Sequence, residues 1–557
     1  MTAYSQRLMR IRSRKNLKKK NGAIVVLFLL PLIGLTSYAS VLLYILEDMA
    51  SYNERVGSPD TSYFFPKEEI DPSLMAELAD VLNFRLNKYH LELNMSLAAD
   101  FTNYSYKEVD RWHETDNAGL QGGETMIGQC LRYATAKKEN NATEMAAAIH
   151  IIRRLITGFS ILLAVPNGGI GPEYPGIPAR FYAPPGTEDK FPQVFSDHYK
   201  MYNGTGIYSN WRCRLKTSLD EMGGYAAALG SVLKFVDPED SEDARWTYER
   251  VRLLVAQLIE GFKRTNWLVI HGDGYPAGSD LNMDFGGGAW KLAYLKLGAK
   301  AYPELYEREY AYTYAKMLHS SQAGEGSTWN TIEEYYAFAF SQCLVFALIM
   351  NEENPLIRHH YIKLYSNGFY DILKYHRNAF INSAFLAFMS LLTENERKQF
   401  ENPDYGFESV KWDVNDQLFR FMDWANPKGM NLTKDQWGIR NYNLIQRPHS
   451  TRSTSLNLEL KKKELNPTFK KYRDWVSNDV IGNLYGWVVK ELFKFEDIYL
   501  VPRTVSEAGE GNFIWNGNPF KKEGGNPGED GLHEQKGNAF LTPYYMGRYF
   551  GFVDPPS

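Results

Sequence analysis

The stretch from Trp112 to Leu120 holds the densest group of chemically capable side chains in this chain. Trp112, His113, Glu114 and Asp116 place an indole, an imidazole and two carboxyl groups directly ahead of a helical pattern. Aromatic rings stack on the faces of sugars, and carboxyl groups accept hydroxyl hydrogen bonds or move protons. The segment therefore indicates a carbohydrate site at the end of a helix.

The same layout recurs twice further along the chain. Trp211 precedes Asp220 and Glu221 at a second predicted helix start. Trp267 precedes Asp273 before a third predicted helix. Loops that pair an aromatic residue with a carboxylate, repeated at helix ends, are what a glycan site built on helical hairpins needs.

Glycoside cleavage requires one protonated and one ionised carboxyl group across the scissile bond. We expect Asp116 and Asp220, or Glu221 in place of Asp220, to be this pair, with His113 as a further acid/base candidate. The residues expected to contact the sugar are Trp112, Trp211, Trp267, Asp273 and Trp329. The alternative is structural, because acidic residues favour the first turn of helices, and a histidine in such a loop can be partly buried without reacting.

The sequence predicts neither a metal site nor a cofactor. Three scattered cysteines match no zinc spacing and no disulfide framework. Asp280, Asn282 and Asp284 alternate as the oxygen ligands of a calcium loop do, but the glycine and final glutamate of an EF-hand are not in place. A calcium ion in that loop stays an alternative.

The N-terminus predicts a membrane anchor. The first twenty residues carry eight Lys and Arg and no acid, and the uncharged run 23–46 that follows can cross a bilayer. The basic flank predicts a cytoplasmic N-terminus and an extracytoplasmic body at the cell membrane. We therefore expect a tail at 1–22, an anchor at 23–46, a stalk at 47–70 and an exported domain at 71–557. A cleaved signal is the competing interpretation, because residues 37–39 resemble a cleavage site.

The charge and the sequons of the remaining chain agree with export. Without the eight basic residues of the tail, 54 Lys and Arg stand against 66 Asp and Glu, which argues against a nucleic-acid partner. We expect a polysaccharide or other glycan instead, and a membrane contact through the N-terminal helix. Five Asn-x-Ser/Thr sequons predict glycosylation at Asn94, Asn103, Asn141, Asn203 and Asn431.

Helical periodicity dominates after residue 70. Asp71-Pro72 is a typical helix start, and apolar stripes at helical spacing follow at 145–163 and 251–262. About twelve helical segments alternate with long Gly- and Pro-rich loops. The pattern predicts an all-α domain built as one ring of about six helical hairpins.

Several short motifs occur here in the order found in a known kind of protein. The segment 112–134 resembles the first functional loop and helix of exported α/α-toroid proteins of the six-hairpin glycosidase type. Residues 217–224 and 267–274 are similar to later parts of such proteins, and 515–520 and 543–551 look like their end. The resemblance covers about residues 75–551 and implies an (α/α)6 toroid with a glycan cleft at one end. Because such proteins are mostly uncharacterised, it implies architecture more than chemistry.

Two classes of function follow from these observations. The first is a membrane-anchored, extracytoplasmic carbohydrate-active enzyme, either a glycoside hydrolase or a lyase or epimerase, acting on a polysaccharide through carboxyl groups. The second is a non-catalytic cell-surface protein that binds glycans or forms filaments on the same scaffold, because a fold does not determine a function. The sugar, its linkage and the oligomeric state are left open.

Overall fold

The described part of the protein is mostly helical, in agreement with the expected all-α class. A computed structural model describes residues 57–103, 105–195, 201–272, 274–282, 288–316, 335–424, 502–505, 513–519 and 532–556. These residues belong to one unit, Gly57–Ser557. The predicted tail and anchor, residues 1–46, lie outside the described residues.

Twelve helices of ten residues or more lie within these ranges. They are α1 (Pro72–Arg85), α2 (Ala118–Lys138), α3 (Ala142–Asn167), α4 (Leu219–Phe235), α5 (Glu242–Arg264), α6 (Gly288–Ala301), α7 (Pro303–Lys316), α8 (Tyr336–Asn351), α9 (Pro355–Leu364), α10 (Ala379–Ser390), α11 (Phe407–Trp424) and α12 (Asn538–Phe550). The predicted start at Asp71 is confirmed, because its side chain accepts hydrogen bonds from the backbone N–H groups of Ser73 and Leu74.

Six of these helices contact one another in a closed order. Helix α2 packs on α4, α4 on α6, α6 on α8, α8 on α10, α10 on α12, and α12 returns to α2. Helix α4 also packs directly and extensively on α8. Each of the other six packs against a member of this circuit: α3 on α2, α5 and α7 on α6, α9 on α8, α11 on α10, and α1 on α12. The hydrophobic core therefore lies on the helices of the circuit.

Burial along two helices of the circuit agrees with this arrangement. Every residue of α2 from Ala118 to Ala136 is buried, and so is every residue of α8 from Ala337 to Asn351. A helix that is buried on all its faces must be surrounded by other elements. By contrast, α5 buries one stripe, which includes the predicted positions Val251, Leu254 and Leu258.

Glycines bring α2 and α4 into backbone contact. A Cβ atom on Gly123 would collide with the backbone of Gly224, and one on Gly224 would collide with the backbone of Gly119 and Leu120. Side chains at these positions would push the two helices apart. The N-terminal ends of α2 and α4 therefore lie side by side, so that the loops in front of them meet.

Within the described ranges, three small antiparallel sheets form in the connections between helices. Their strands are β1 (Ala99–Phe101), β2 (Val109–Trp112), β3 (Phe181–Ala183), β4 (Met201–Asn203), β5 (Arg212–Arg214), β6 (Leu268–Ile270), β7 (Pro276–Asp280) and β8 (His533–Glu534). The sheet orders are β2-β1-β8, β3-β5-β4 and β6-β7. Strands of two to five residues are too short for period-two alternation to be visible in the sequence.

The described end of the predicted stalk packs onto the body. Phe64 and Phe65 are 2% and 9% exposed. The backbone N–H of Phe65 donates to Asp416 Oδ1 at 2.7 Å, and its carbonyl accepts from Trp412 Nε1 at 2.8 Å. Phe64 and Phe65 thus pack against α11, so the predicted stalk is part of the body at these two residues.

One helix in the described residues is long and apolar enough to cross a membrane. It is α3, Ala142–Asn167, and 72% of its most apolar window is buried inside the protein. Its apolar residues pack against α2 and α5.

Candidate active site

Two of the loops chosen from the sequence meet at the joined ends of α2 and α4. The backbone N–H of Gly119 donates to Glu221 Oε2 at 3.0 Å. The side-chain amide of Asn117 is surrounded by hydrogen-bond acceptors, so its nitrogen is assigned to face them. In that orientation the nitrogen lies 3.2 Å from Asp220 Oδ2 and 3.3 Å from Glu221 Oε1. The same nitrogen lies 2.8 Å from the carbonyl oxygen of Asp116. Residues 116–119 and 218–221 therefore form one polar group.

Glu221 is the buried member of this group. Its side chain is fully buried, and burial raises its pKa to about 8. Arg180 and the backbone N–H groups of Gly119 and Leu120 lower the pKa, and the neighbouring Asp220 raises it further. At neutral pH Glu221 is therefore mainly protonated, because desolvation penalises its charged form.

Asp220 has a different environment although it is the adjacent residue. Its side chain is 15% exposed and forms an ion pair with Arg180 at 3.4 Å. Ser218 Oγ hydrogen-bonds both Asp220 Oδ1 and Arg180 Nη2. Arg180 directly precedes β3, so this sheet places a cation at the start of α4. One neutral and one paired carboxyl group thus lie side by side.

The other two acid/base candidates lie nearby but differ in their contacts. Asp116 is half-buried and directly precedes Asn117. His113 hydrogen-bonds Asp100 through Nε2 at 2.7 Å, and its ring lies 5.4 Å from that of His533. His113 therefore belongs to a cluster on the sheet β2-β1-β8, whereas the backbone carbonyl of Asp116 lies beside Asn117, whose amide faces Asp220 and Glu221.

A second polar group, which the sequence analysis missed, lies between α2 and the start of α12. Glu124 is fully buried, and burial raises its pKa well above the usual range; Lys536 lowers it and Glu114 raises it. Lys536 and Glu114 form an ion pair whose side chains are 0% and 6% exposed. Asn538 Nδ2 donates to Glu124 Oε2 at 3.4 Å. Neither polar atom of the buried Gln121 side chain has a hydrogen-bond partner among the described residues.

A local pattern could have drawn attention to this group. Asn117, Gln121 and Glu124 are spaced i, i+4, i+7, so they share one face of α2. Polar residues along one face of a buried helix are costly without partners. The partners of Glu124, Lys536 and Asn538, lie more than 400 residues away, and spacing in the sequence does not reveal them.

The predicted sugar-stacking residues have separate positions. Trp112 and Trp211 are half-buried and belong to a run of rings: Trp112 lies 5.8 Å from Phe191, and Trp211 lies 5.9 Å from Tyr182. Trp267 is 4% exposed and packs on Phe262 at 5.8 Å, so its ring is part of the core rather than an exposed wall. Asp273 and Trp329 lie outside the described residues.

The predicted calcium loop is described in part. Asp280 Oδ1 accepts from the backbone N–H of Asn282 at 2.8 Å, and Asn282 Oδ1 accepts from Lys291 Nζ at 2.7 Å. An ammonium group on Asn282 occupies an oxygen that a calcium ion would need. Asp284 lies outside the described residues.

Four of the five sequons lie in the described part. Asn103, Asn141 and Asn203 are exposed, and Asn431 lies outside the described residues. Asn94 is half-buried, and its Oδ1 accepts from Arg154 Nε at 3.3 Å. Three of the predicted acceptors are therefore at the surface, while Asn94 is held against α3.

No protein-family model, curated protein or solved structure matches this chain.

Proposed function

We propose that the helices form an (α/α)6 toroid, with the closed circuit α2-α4-α6-α8-α10-α12 as the inner ring. The order of contacts supports this, because each circuit helix touches its two neighbours and at least one further helix. In such a ring the N-terminal ends of the inner helices lie at one end. The groups around Asp220 and Glu124 both belong to that end, since they involve the first turns of α2, α4 and α12.

On this scaffold we infer a carbohydrate-active enzyme, most simply a glycoside hydrolase, that acts on a polysaccharide. The observation that carries this proposal is the pair of adjacent carboxyl groups in unequal environments. Glu221 is buried and neutral, whereas Asp220 is partly exposed and paired with Arg180. The difference leaves Asp220 beside a neutral group rather than a second negative charge, and the facing loop that carries Asp116 supplies the second reacting carboxyl group.

The reacting groups in this proposal are those that a substrate can reach. Asp220, which is paired with Arg180, would either take a proton from the attacking water or bond the anomeric carbon itself in an intermediate that water then hydrolyses. Asp116, half-buried in the facing loop, would give its proton to the glycosidic oxygen. Glu221 would act as a positioning residue, because its neutral form leaves Asp220 without a second negative charge beside it. Trp112 and Trp211 would stack on sugar rings.

The test uses the full-length protein in mild detergent and a panel of polysaccharides, with release of reducing ends as the readout. Asp116→Asn and Asp220→Asn should each lower turnover by about 10²–10⁴-fold, the usual contribution of an acid or base. Asp243→Asn is the matched control, because Asp243 is also an acid in the first turn of a helix but is 41% exposed. Full activity in both site variants would refute the assignment.

A non-catalytic glycan-binding or structural protein is the second candidate. Two observations favour it: Glu221 has no exposed surface, and Trp267 is a core residue. A glycan array separates the two candidates. Binding without release of reducing ends would support a binding module, and neither binding nor release would support a structural role.

We further propose that residues 23–46 anchor the protein in the cell membrane, with the body outside the cytoplasm. The basic tail and the acidic remainder of the chain support this orientation. Protease added to intact cells should remove the body and leave the tail protected. Cleavage of the tail from outside would contradict this topology.

A further inference from the structure

The sheet β2-β1-β8 carries two histidines and one aspartate on three strands or strand ends. Asp100 in β1 is the cross-strand partner of Arg111 in β2 and of His533 in β8. His113 follows β2 directly, and its Nε2 lies 2.7 Å from Asp100 Oδ2. His533 Nδ1 lies 2.8 Å from Asp100 Oδ1.

The three side chains converge closely enough to share one ion. One ligand atom from each of Asp100, His113 and His533 lies within 4.8 Å of the others. A transition-metal ion bonds imidazole nitrogen and carboxylate oxygen at about 2.0–2.2 Å, so ligand atoms of one site lie within a few ångströms of each other. A tetrahedral ion would hold its ligand atoms roughly 3.3 Å apart, so both rings and the carboxylate would turn to admit it.

The charges around the cluster favour a cation. Asp100 accepts hydrogen bonds from His113 and Arg111 at Oδ2 and from His533 at Oδ1. The Asp100 carboxylate therefore accepts hydrogen bonds from three donor groups, and a metal ion can replace those donors. Arg111 is 56% exposed, so its side chain can turn to solvent when a metal ion takes its place.

We propose that Asp100, His113 and His533 form a binding site for a divalent transition-metal ion of the zinc type. Two nitrogen ligands and one carboxylate select such ions over Mg²⁺ and Ca²⁺, which prefer all-oxygen sites. The side chains of His113, Asp100 and His533 are 35%, 17% and 17% exposed, which leaves room for water to complete the coordination. The amide nitrogen of Gln535 lies 2.9 Å from His533 Nε2. With a metal ion on Nδ1 the Nε2 atom carries the proton, so the Gln535 amide would turn to accept from it through Oε1 and orient the ring.

Metal binding would connect distant parts of the chain. His533 is 433 residues from Asp100, so one ion would hold β8 against β1 and β2. The same ion would fix His113, three residues before Asp116. The proposal requires binding only, so it stands whether or not the protein cleaves glycans.

The test is a titration of the full-length protein, carrying no histidine tag, after removal of metal with a chelator. We expect one equivalent of Zn²⁺ to bind in competition with a chromophoric chelator, and Mg²⁺ at the same concentration not to bind. Loss of an outer partner alone commonly weakens metal affinity by about 10–100-fold, so His113→Gln and His533→Gln should weaken it by at least about 100-fold. His150→Gln, an exposed histidine on α3, is the matched control and should bind as the wild type does.

A second measurement keeps the test independent of folding defects. Co²⁺ bound by two imidazoles and a carboxylate should give a visible absorption spectrum that His113→Gln abolishes while its melting temperature without metal equals that of the wild type. His113 is suited to this because it is the most exposed of the three ligands. Less than one equivalent of Zn²⁺ in the wild type, or unchanged affinity in both histidine variants, would overturn the proposal.

Discussion

Replacing Glu221 with Gln should stabilise the protein above pH 5. In the wild type the folded state must keep Glu221 protonated, whereas the unfolded chain releases that proton. The pKa of Glu221 is about 8 in the folded state and 4.5 is its ordinary value. Below pH 4.5 both states hold the proton, so the stability associated with it is fully present. Between these values the unfolded chain releases the proton while the folded protein keeps it, so stability falls as pH rises to about 8.

The size of the effect follows from this difference in pKa. Each pH unit between the two values costs about 1.4 kcal/mol of stability, so the loss at pH 7 is at most roughly 3.5 kcal/mol. Glutamine has no proton to release, and its amide oxygen can still accept from the backbone N–H of Gly119. For a body of this size the entropy of unfolding is about 1 kcal/mol/K, so the variant should melt up to about 3 °C higher at pH 7.

The assay compares melting temperatures of the wild type and Glu221→Gln at several values between pH 4 and pH 8.5, at one scan rate. The difference between them should be near zero at pH 4 and should grow with pH. Glu239→Gln, in an exposed loop, is the matched control and should show no such growth. A difference that is the same at pH 4 and pH 8 would refute the reasoning, because it would show that Glu221 does not retain its proton.

The same variant tests the role of Glu221 in the proposed reaction. In the wild type, ionisation of Glu221 as pH rises through about 8 would place a second charge beside Asp220 and lower activity. Glu221→Gln should therefore lose that upper limb of the pH–rate profile. A purely structural role would leave the profile unchanged.

Three further predictions concern packing, glycosylation and acid stability. Gly123→Ala should destabilise the protein by about 1–3 kcal/mol in chemical unfolding, because its methyl group meets the backbone of α4, whereas Gly368→Ala has open space and should not. In a glycosylating host, site mapping by mass spectrometry should find Asn141 modified and Asn94 bare, because Asn141 is exposed and Asn94 is held by Arg154; the opposite pattern would contradict the structure. Burial raises the pKa of Glu534, but Arg85 and His90 outweigh it and lower the pKa to about 2. The stability that ionised Glu534 contributes is therefore present above pH 4.5 and is lost as pH falls toward 2. In Glu534→Gln the melting temperature should depend less on pH in this range. Loss of the buried carboxylate that pairs with Arg85 should also cost about 3–5 kcal/mol of stability at pH 7.

Several features of the fold could be predicted because they depend on neighbouring residues. The helix start at Asp71-Pro72 depends on one cap and one fixed φ angle, and the stripe 251–262 depends on spacing alone. The approach of residues 116–119 to 218–221 was expected from their positions at helix starts. The glycines at 119, 123 and 224 now supply its physical cause.

Other features depend on contacts that no local pattern encodes. Trp267 has the same sequence context as an exposed stacking residue, but Phe262 and Lys291 cover its ring. The small sheets are too short to show alternation, and they bring Arg180 to Asp220 and His533 to Asp100. Such pairs form only when distant segments are packed together.

The amino-acid sequence by itself determined the helical class of this protein, the helix start at Asp71 and the segments that carry its carboxyl groups, because these follow from capping, periodicity and residue type. It did not determine every helix start, since the helix expected near Glu124 begins at Ala118. Only the tertiary structure decided which carboxyl group stays protonated, since the pKa of Glu221 and of Glu124 is set by complete burial. It alone also assembled Asp100, His113 and His533, whose positions in the chain are unrelated. The reason is physical: desolvation and charge pairing act over ångströms in space, irrespective of separation along the chain.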